Sequence, residues 1–163
     1  MIIAAEASSA HYALKLMLEF KKSGHEYEFF GVGSDLMEQE GFERFGKSEE
    51  MAVVGAVEIL KHLKSLKKIF NKLVEVARER KPQVVILMDY PEFNLKLAEK
   101  LKPEGLKVFY YISPQIWAWR QGRVETIRQF CEKVFLLFPF EVEFYKSKNV
   151  AHEFVGHPLL EDL

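Results

Sequence analysis

Two pentapeptides, Val84 to Met88 (VVILM) and Val134 to Phe138 (VFLLF), are apolar at every position. A strand with one wet face alternates between apolar and polar residues. One that is apolar throughout has to be covered on both faces, as a parallel strand between two helical layers is. Further short apolar runs read as strands at Ile2 to Ala5, Tyr27 to Val32, Val108 to Ile112 and His152 to Val155. Helical periodicity fills the intervals: Ala10 to Lys22, Asp35 to Glu40, Val57 to Arg80, Phe93 to Leu101, Arg120 to Phe130 and Glu141 to Lys146. Gly24, Gly41, Pro82 and Gly105 punctuate these segments. Strands alternating with helices through short connections predict an α/β fold built on a doubly wound, mostly parallel sheet. The 163 residues suit one domain with a sizeable core, and no internal repeat, low-complexity segment or linker interrupts them.

Composition narrows the function classes. A net charge of −1 argues against nucleic acid as a partner, because phosphate binding requires a basic surplus. The single cysteine, Cys131, allows no internal disulfide and fits a reducing cytoplasm. The opening MIIAAEASS is too short and lacks the basic leader of a signal peptide, and no apolar run approaches the roughly 20 residues of a membrane span. The expectation is a protein that is soluble or rests on a membrane without crossing it. No His, Cys, Asp and Glu set has metal-ligand spacing, so neither a metal nor a cofactor is expected. GVGSD offers only G-x-G, and no P-loop occurs, which disfavours a nucleotide-binding module.

In open parallel sheets, ligands bind beyond the carboxyl ends of the strands. The residues placed there are Glu6 to Ser9, Gly31 to Ser34, Asp89, Ser113 to Trp119 and Pro139. Asp89, in ILMDYPEFN, admits two readings. It ends a strand and favours the start of the next helix, or it is a base held where a substrate hydroxyl can reach it.

The segments AAEASS, MAVVGAVEILKHL, MDYPEFNLKLA, YYISPQIWAWRQGRVETIR, LFPFEVEFY and FVGHPLLEDL follow one another in an order and spacing that resembles the lipid-A-disaccharide synthase family. The run SPQIWAWRQGR is the most specific of them. The resemblance covers nearly the whole chain, yet the family is about twice as long. It implies the N-terminal, acceptor-side half of a two-domain GT-B glycosyltransferase, Rossmann-like, with residues 156–163 near the interdomain hinge and the UDP-sugar donor domain lying outside the chain. It further implies an inverting transfer from UDP-2,3-diacylglucosamine to 2,3-diacylglucosamine 1-phosphate, without a cofactor, by a peripheral protein on the cytoplasmic face of the membrane. A homodimer is left open. Asp89 falls on the family's proposed catalytic aspartate in the D-x-P-[DE]-F-N pattern, with Glu6 and Glu92 as alternative bases. The first turn departs from the family's G-E-x-S-G-D at Ala5, Ser9 and Ala10, while Glu6 and Ser8 match. The remaining expected substrate contacts are Ser9 and Asn94, with Trp117, Arg120 and Arg123, whose indole faces suit sugars or acyl chains and whose guanidinium forks suit phosphate. At least one of Trp117 and Trp119 is expected in the core, and His11 and His157 are read as surface and structural residues.

The segment from Val57 to Arg80 carries an apolar stripe (Ile59, Leu63, Leu66, Phe70, Leu73, Ala77, widened by Leu60, Ile69 and Val74) opposite a basic face (Lys61, Lys64, Lys67, Lys68, Lys72). It packs wholly on the sheet, or its first half, with Leu60, Lys61, Leu63, Lys64, Lys67 and Lys68, meets an anionic bilayer. A non-catalytic nucleotide-binding or membrane-surface module is the alternative to an enzyme half.

Overall fold

The computed structural model describes residues 1–51, 59–113, 122–158 and 160, in two compact units, Met1–Pro82 and Gln83–Leu163. The first runs β1 (Ile2–Ala4), α1 (Ala7–Lys22), β2 (Phe30–Gly33), α2 (Asp35–Gln39), β3 (Glu43–Lys47) and α3 (Ile59–Arg80). Strand β2 lies between β1 and β3, and both pairings are parallel. Ile2, Ile3, Ala4, Phe30 and Val32 are buried in this sheet, and Ala10, Ala13 and Met17 form the buried face of α1.

Three features differ from the sequence reading. Helix α1 starts three residues before Ala10, because Glu6 is its N-cap and Ser9 bonds back to it. Strand β2 begins only at Phe30: Tyr27 and Phe29 instead pack their rings with Phe20, at 5.1 Å for Phe20 with Tyr27 and 6.0 Å for Tyr27 with Phe29. Strand β3, the segment Glu-Arg-Phe-Gly-Lys, is not anticipated at all. It pairs only with β2 among the described residues, and its part-exposed, charged side chains suit a sheet edge but erase the apolar signal of a strand.

The register shifts between Gly31 and Val32, so that Phe45 has no direct partner on β2. Gly31 makes this possible with φ +138°, and a Cβ there would sit 2.1 Å from the Ile2 carbonyl oxygen. Gly31→Ala therefore has to part β1 from β2 as well as strain the backbone, and is expected to lower stability by at least about 2 kcal/mol. Urea unfolding of the variant checks this.

The second unit runs β4 (Val85–Met88), α4 (Pro91–Leu101), β5 (Val108–Tyr111), α5 (Arg123–Phe130), β6 (Lys133–Leu136), α6 (Pro139–Ser147) and β7 (His152–Phe154). The strands stand side by side in chain order, all parallel, with Leu87 opposite Tyr110 and Tyr110 opposite Val134. Val85, Leu87, Met88, Val108, Tyr110, Val134 and Leu136 are buried, together with Leu97, Ala98 and Leu101 of α4 and Ile127 of α5. Both units therefore have the α/β architecture with parallel strands that the doubly apolar runs imply. The run VFLLF is not covered to its end, since Phe138 is 40% exposed and stacks on the exposed Phe140 at 5.4 Å.

Cys131 ends α5. Burial pushes its thiol up to about 12, with Lys102 opposing and Glu132 reinforcing the shift. The thiolate is the reactive form, so alkylation by iodoacetamide at pH 8 should run more than about tenfold slower in the folded chain than in urea. Mass spectrometry of quenched samples measures the ratio.

Candidate active site at the strand ends

Asp89 follows directly on β4. It and Tyr90 both have positive φ, 55° and 40°, before Pro91 opens α4. Two successive non-glycine residues in the left-handed region cost on the order of 1–3 kcal/mol each, and such strain persists only where the surroundings impose it. Here they do. The Asp89 carbonyl accepts from Asn94 Nδ2 at 2.7 Å and from the Tyr110 hydroxyl at 2.5 Å, and Asn94 Nδ2 also donates to the Met88 carbonyl at 3.0 Å. The Tyr90 carbonyl in turn accepts from the backbone N–H groups of Phe93 and Asn94, closing the first turn of α4. The turn thus sets Asp89, half-buried, beyond the end of its strand, where a carboxylate is shielded in part yet reachable.

Asn94 is fully buried, and its amide is engaged on two backbone carbonyls behind the turn. Glu92, at the exposed first turn of α4, ion-pairs at 2.5 Å with Arg123 at the start of α5. The pair ties the segment after Asp89 to the segment after SPQIWAWRQG, and Arg123 is directed there by Glu92. Trp117, Trp119 and Arg120 lie outside the described residues. The chain enters that stretch from Ile112, whose φ of 67° is unusual for a β-branched residue. Ser113, also buried, shares a hydrogen bond with the Tyr145 hydroxyl, which anchors the end of the described segment.

In the first unit, Glu6 and Ser8 are exposed where β1 gives way to α1. Ser9 is buried: its hydroxyl accepts from the Glu6 N–H at 3.0 Å and donates to the Glu6 carbonyl at 2.8 Å. Ser9 therefore holds Glu6 in place as the helix cap. Ala5 and Ala10 are buried too, while Ser48 donates at 2.6 Å to the carbonyl of Ala4 and secures the end of β1. The departures from the family's glycines at Ala5 and Ser9 thus fall on inward-facing positions. His11 is exposed, with its ring 5.9 Å from that of Tyr12. In the second unit, the His157 ring lies 5.5 Å from that of Phe138.

Helix α3 divides along its length. Leu66, Leu73, Val74, Val76 and Ala77 are buried, whereas Leu60 is 75% and Leu63 53% exposed. Lys61, Lys64, Lys67 and Lys68 are exposed as well. Lys68 and Lys72 further line, with Arg44 and Lys47, an open cleft of about 420 Å³ beside β3. No described helix is long and apolar enough to cross a membrane.

Tyr110 is the residue that sequence reasoning misses. Its signal is visible in retrospect: a tyrosine inside the apolar strand VFYY needs a polar partner if it is buried. Burial, and next the charge of Asp89, hold its phenol well above the usual tyrosine range, with a hydrogen bond from Asn94 opposing.

The fold is thus that of an α/β protein with parallel strands, and its candidate site, a strained, buttressed aspartate and an ion-paired arginine, lies at the strand ends where open sheets of this class bind ligands. The sequence matches the profile of the lipid-A-disaccharide synthetase family over residues 1–163. It is 45% identical over 161 residues to the lipid-A-disaccharide synthase of Trichlorobacter lovleyi, covering 99% of this chain and 42% of that protein. Those of Geobacter sulfurreducens (44% over 161 residues, 42% of its length) and Myxococcus xanthus (39% over 163 residues, 43% of its length) are similar. The chain belongs to this family of glycosyltransferases, and it spans about two fifths of the length of these curated relatives.

Proposed function

We propose that this chain is the acceptor-binding half of an inverting glycosyltransferase that joins UDP-2,3-diacylglucosamine to 2,3-diacylglucosamine 1-phosphate. The products are lipid A disaccharide 1-phosphate and UDP. The observation that carries the reading is the Asp89 turn, a carboxylate set by a strained backbone beyond the end of a parallel strand. In the reaction, the acceptor hydroxyl oxygen attacks the donor's anomeric carbon as the bond from that carbon to UDP breaks. The electron pair leaves with UDP, and the hydroxyl proton passes to Asp89. A single displacement inverts the anomeric centre.

Glu6 and Ser8, exposed at the first strand end, are available for acceptor hydroxyls. Arg123, together with Trp117 and Arg120 of the same motif, is assigned to the acceptor's phosphate and sugar. Asn94 and Ser9 enter this reading through the turns they hold. The basic, leucine-bearing first half of α3 is assigned to the anionic cytoplasmic face of the membrane, from which a diacylated acceptor is drawn. Residues 156–163 then lead toward the hinge, and the UDP-sugar donor is held by the length of protein that the relatives carry in addition.

A chain that binds only the acceptor has no turnover. The 163 residues alone should release no UDP above background when given both substrates, whereas a full-length protein carrying them releases UDP only when both are present. UDP release by the isolated chain that depends on both substrates would show that the half-enzyme assignment is wrong.

A further inference from the structure

The Asp89 carbonyl is held from two directions by side chains that the chemistry does not consume. Tyr110 comes from the neighbouring strand, where it is registered opposite Leu87, and Asn94 comes from the first turn of the helix that follows. Both are 0% exposed. We propose that Tyr110 and Asn94 are positioning residues that lock the left-handed Asp89–Tyr90 turn and so aim the Asp89 carboxylate at the acceptor hydroxyl. The inference rests on Asp89 being the base.

The chemistry of the two donors supports this. The Asn94 side-chain nitrogen donates to two carbonyl oxygens, so only the NH₂ end of the amide can face them and its orientation is fixed. Its Oδ1 is buried with no hydrogen-bond partner among the described residues, a cost that an apolar residue of similar size would avoid. The two bonds made by Nδ2 explain why an amide stands there. The Tyr110 phenol, kept protonated by burial, remains a donor throughout the working pH range. If either donor is lost, the carbonyl has a weaker hold. The turn then relaxes toward the right-handed backbone that Asp and Tyr ordinarily prefer, and the Cα–Cβ direction of Asp89 turns with it.

The test is a mutant cycle in a full-length protein carrying this chain, with Tyr110→Phe, Asp89→Asn and the double variant. Tyr110→Phe removes one oxygen and keeps the ring. It should lower kcat about tenfold, the scale of a small misplacement of a reacting group, with the acceptor KM within about twofold. In the Asp89→Asn background the same change should cost nothing further, because a residue that acts through Asp89 has nothing left to aim. Equal losses in both backgrounds, or a Tyr110→Phe kcat within twofold of the parent beside a strongly impaired Asp89→Asn, would overturn the positioning role and leave the base intact. An Asp89→Asn enzyme with parental turnover would overturn both. Independently of turnover, NMR of the 163-residue chain should show the one-bond Cα–Hα couplings of Asp89 and Tyr90, which are diminished at positive φ, rising in Tyr110→Phe with Asn94→Leu. Unchanged couplings in that variant would likewise overturn the proposal.

Discussion

Asp89→Asn in a full-length protein carrying this chain lowers turnover by about 10²–10⁴-fold, the usual worth of a positioned general base. Acceptor affinity stays near the parent's, because proton transfer belongs to the transition state and not to ground-state binding. The fold also survives. Asparagine tolerates the left-handed backbone about as well as aspartate, and the bonds from Asn94 and Tyr110 end on the Asp89 backbone carbonyl, which the substitution leaves in place. Steady-state rates over a range of acceptor concentrations separate kcat from KM. If Asp89 only ends β4 and favours the start of α4, turnover instead remains within about threefold of the parent, well short of a base's contribution. The proton acceptor would then be sought at Glu6 or Glu92.

Exchanging Lys61, Lys64, Lys67 and Lys68 for glutamine weakens binding to phosphatidylglycerol-containing vesicles by about 10²–10³-fold at low salt, at about 1 kcal/mol for each lysine near the surface. All four side chains are exposed, so the substitution leaves the buried residues of α3 (Leu66, Leu73, Val74, Val76 and Ala77) unchanged. Added salt should narrow the difference between parent and variant, since the attraction is screened within a Debye length. The exposed Leu60 and Leu63 account for the part of the binding that persists in salt. Sedimentation with vesicles reads both effects. A parent chain that does not sediment at low salt, or a variant that sediments equally well, would reduce α3 to an ordinary packing helix.

The parallel sheets were legible in the sequence because burial on both faces leaves β4 with no polar position from Val85 to Met88, while Val84, just before the strand, is exposed. Asp89 was legible for the complementary reason, as the first charge after an unbroken apolar run. Strand β3 was not, because its end residues Glu43 and Lys47 are exposed and Arg44 is drawn into ion pairs with Asp35 and Glu38, so the strand loses the alternation that marks a half-buried one. Among the expected site residues, Glu6 and Ser8 stand exposed at a strand end, while Ser9 and Asn94 turn inward and act on the backbone. Sequence spacing puts such residues near a site but does not say which way they face. Tyr110 was hidden for the same reason. Its ring fits an apolar strand, and only the position of its hydroxyl, at the carbonyl of a residue 21 places earlier, reveals what it holds.

The assignment of this chain to the acceptor side is tested most directly by ligand binding to the 163 residues themselves. Diacylglucosamine 1-phosphate and the UDP-diacylglucosamine donor are each titrated in mixed micelles against the isolated chain. Saturable binding of the acceptor, weakened when its phosphate is removed, with no saturable binding of the donor, is the predicted result. Saturable binding of the UDP-sugar with none of the acceptor would contradict the account.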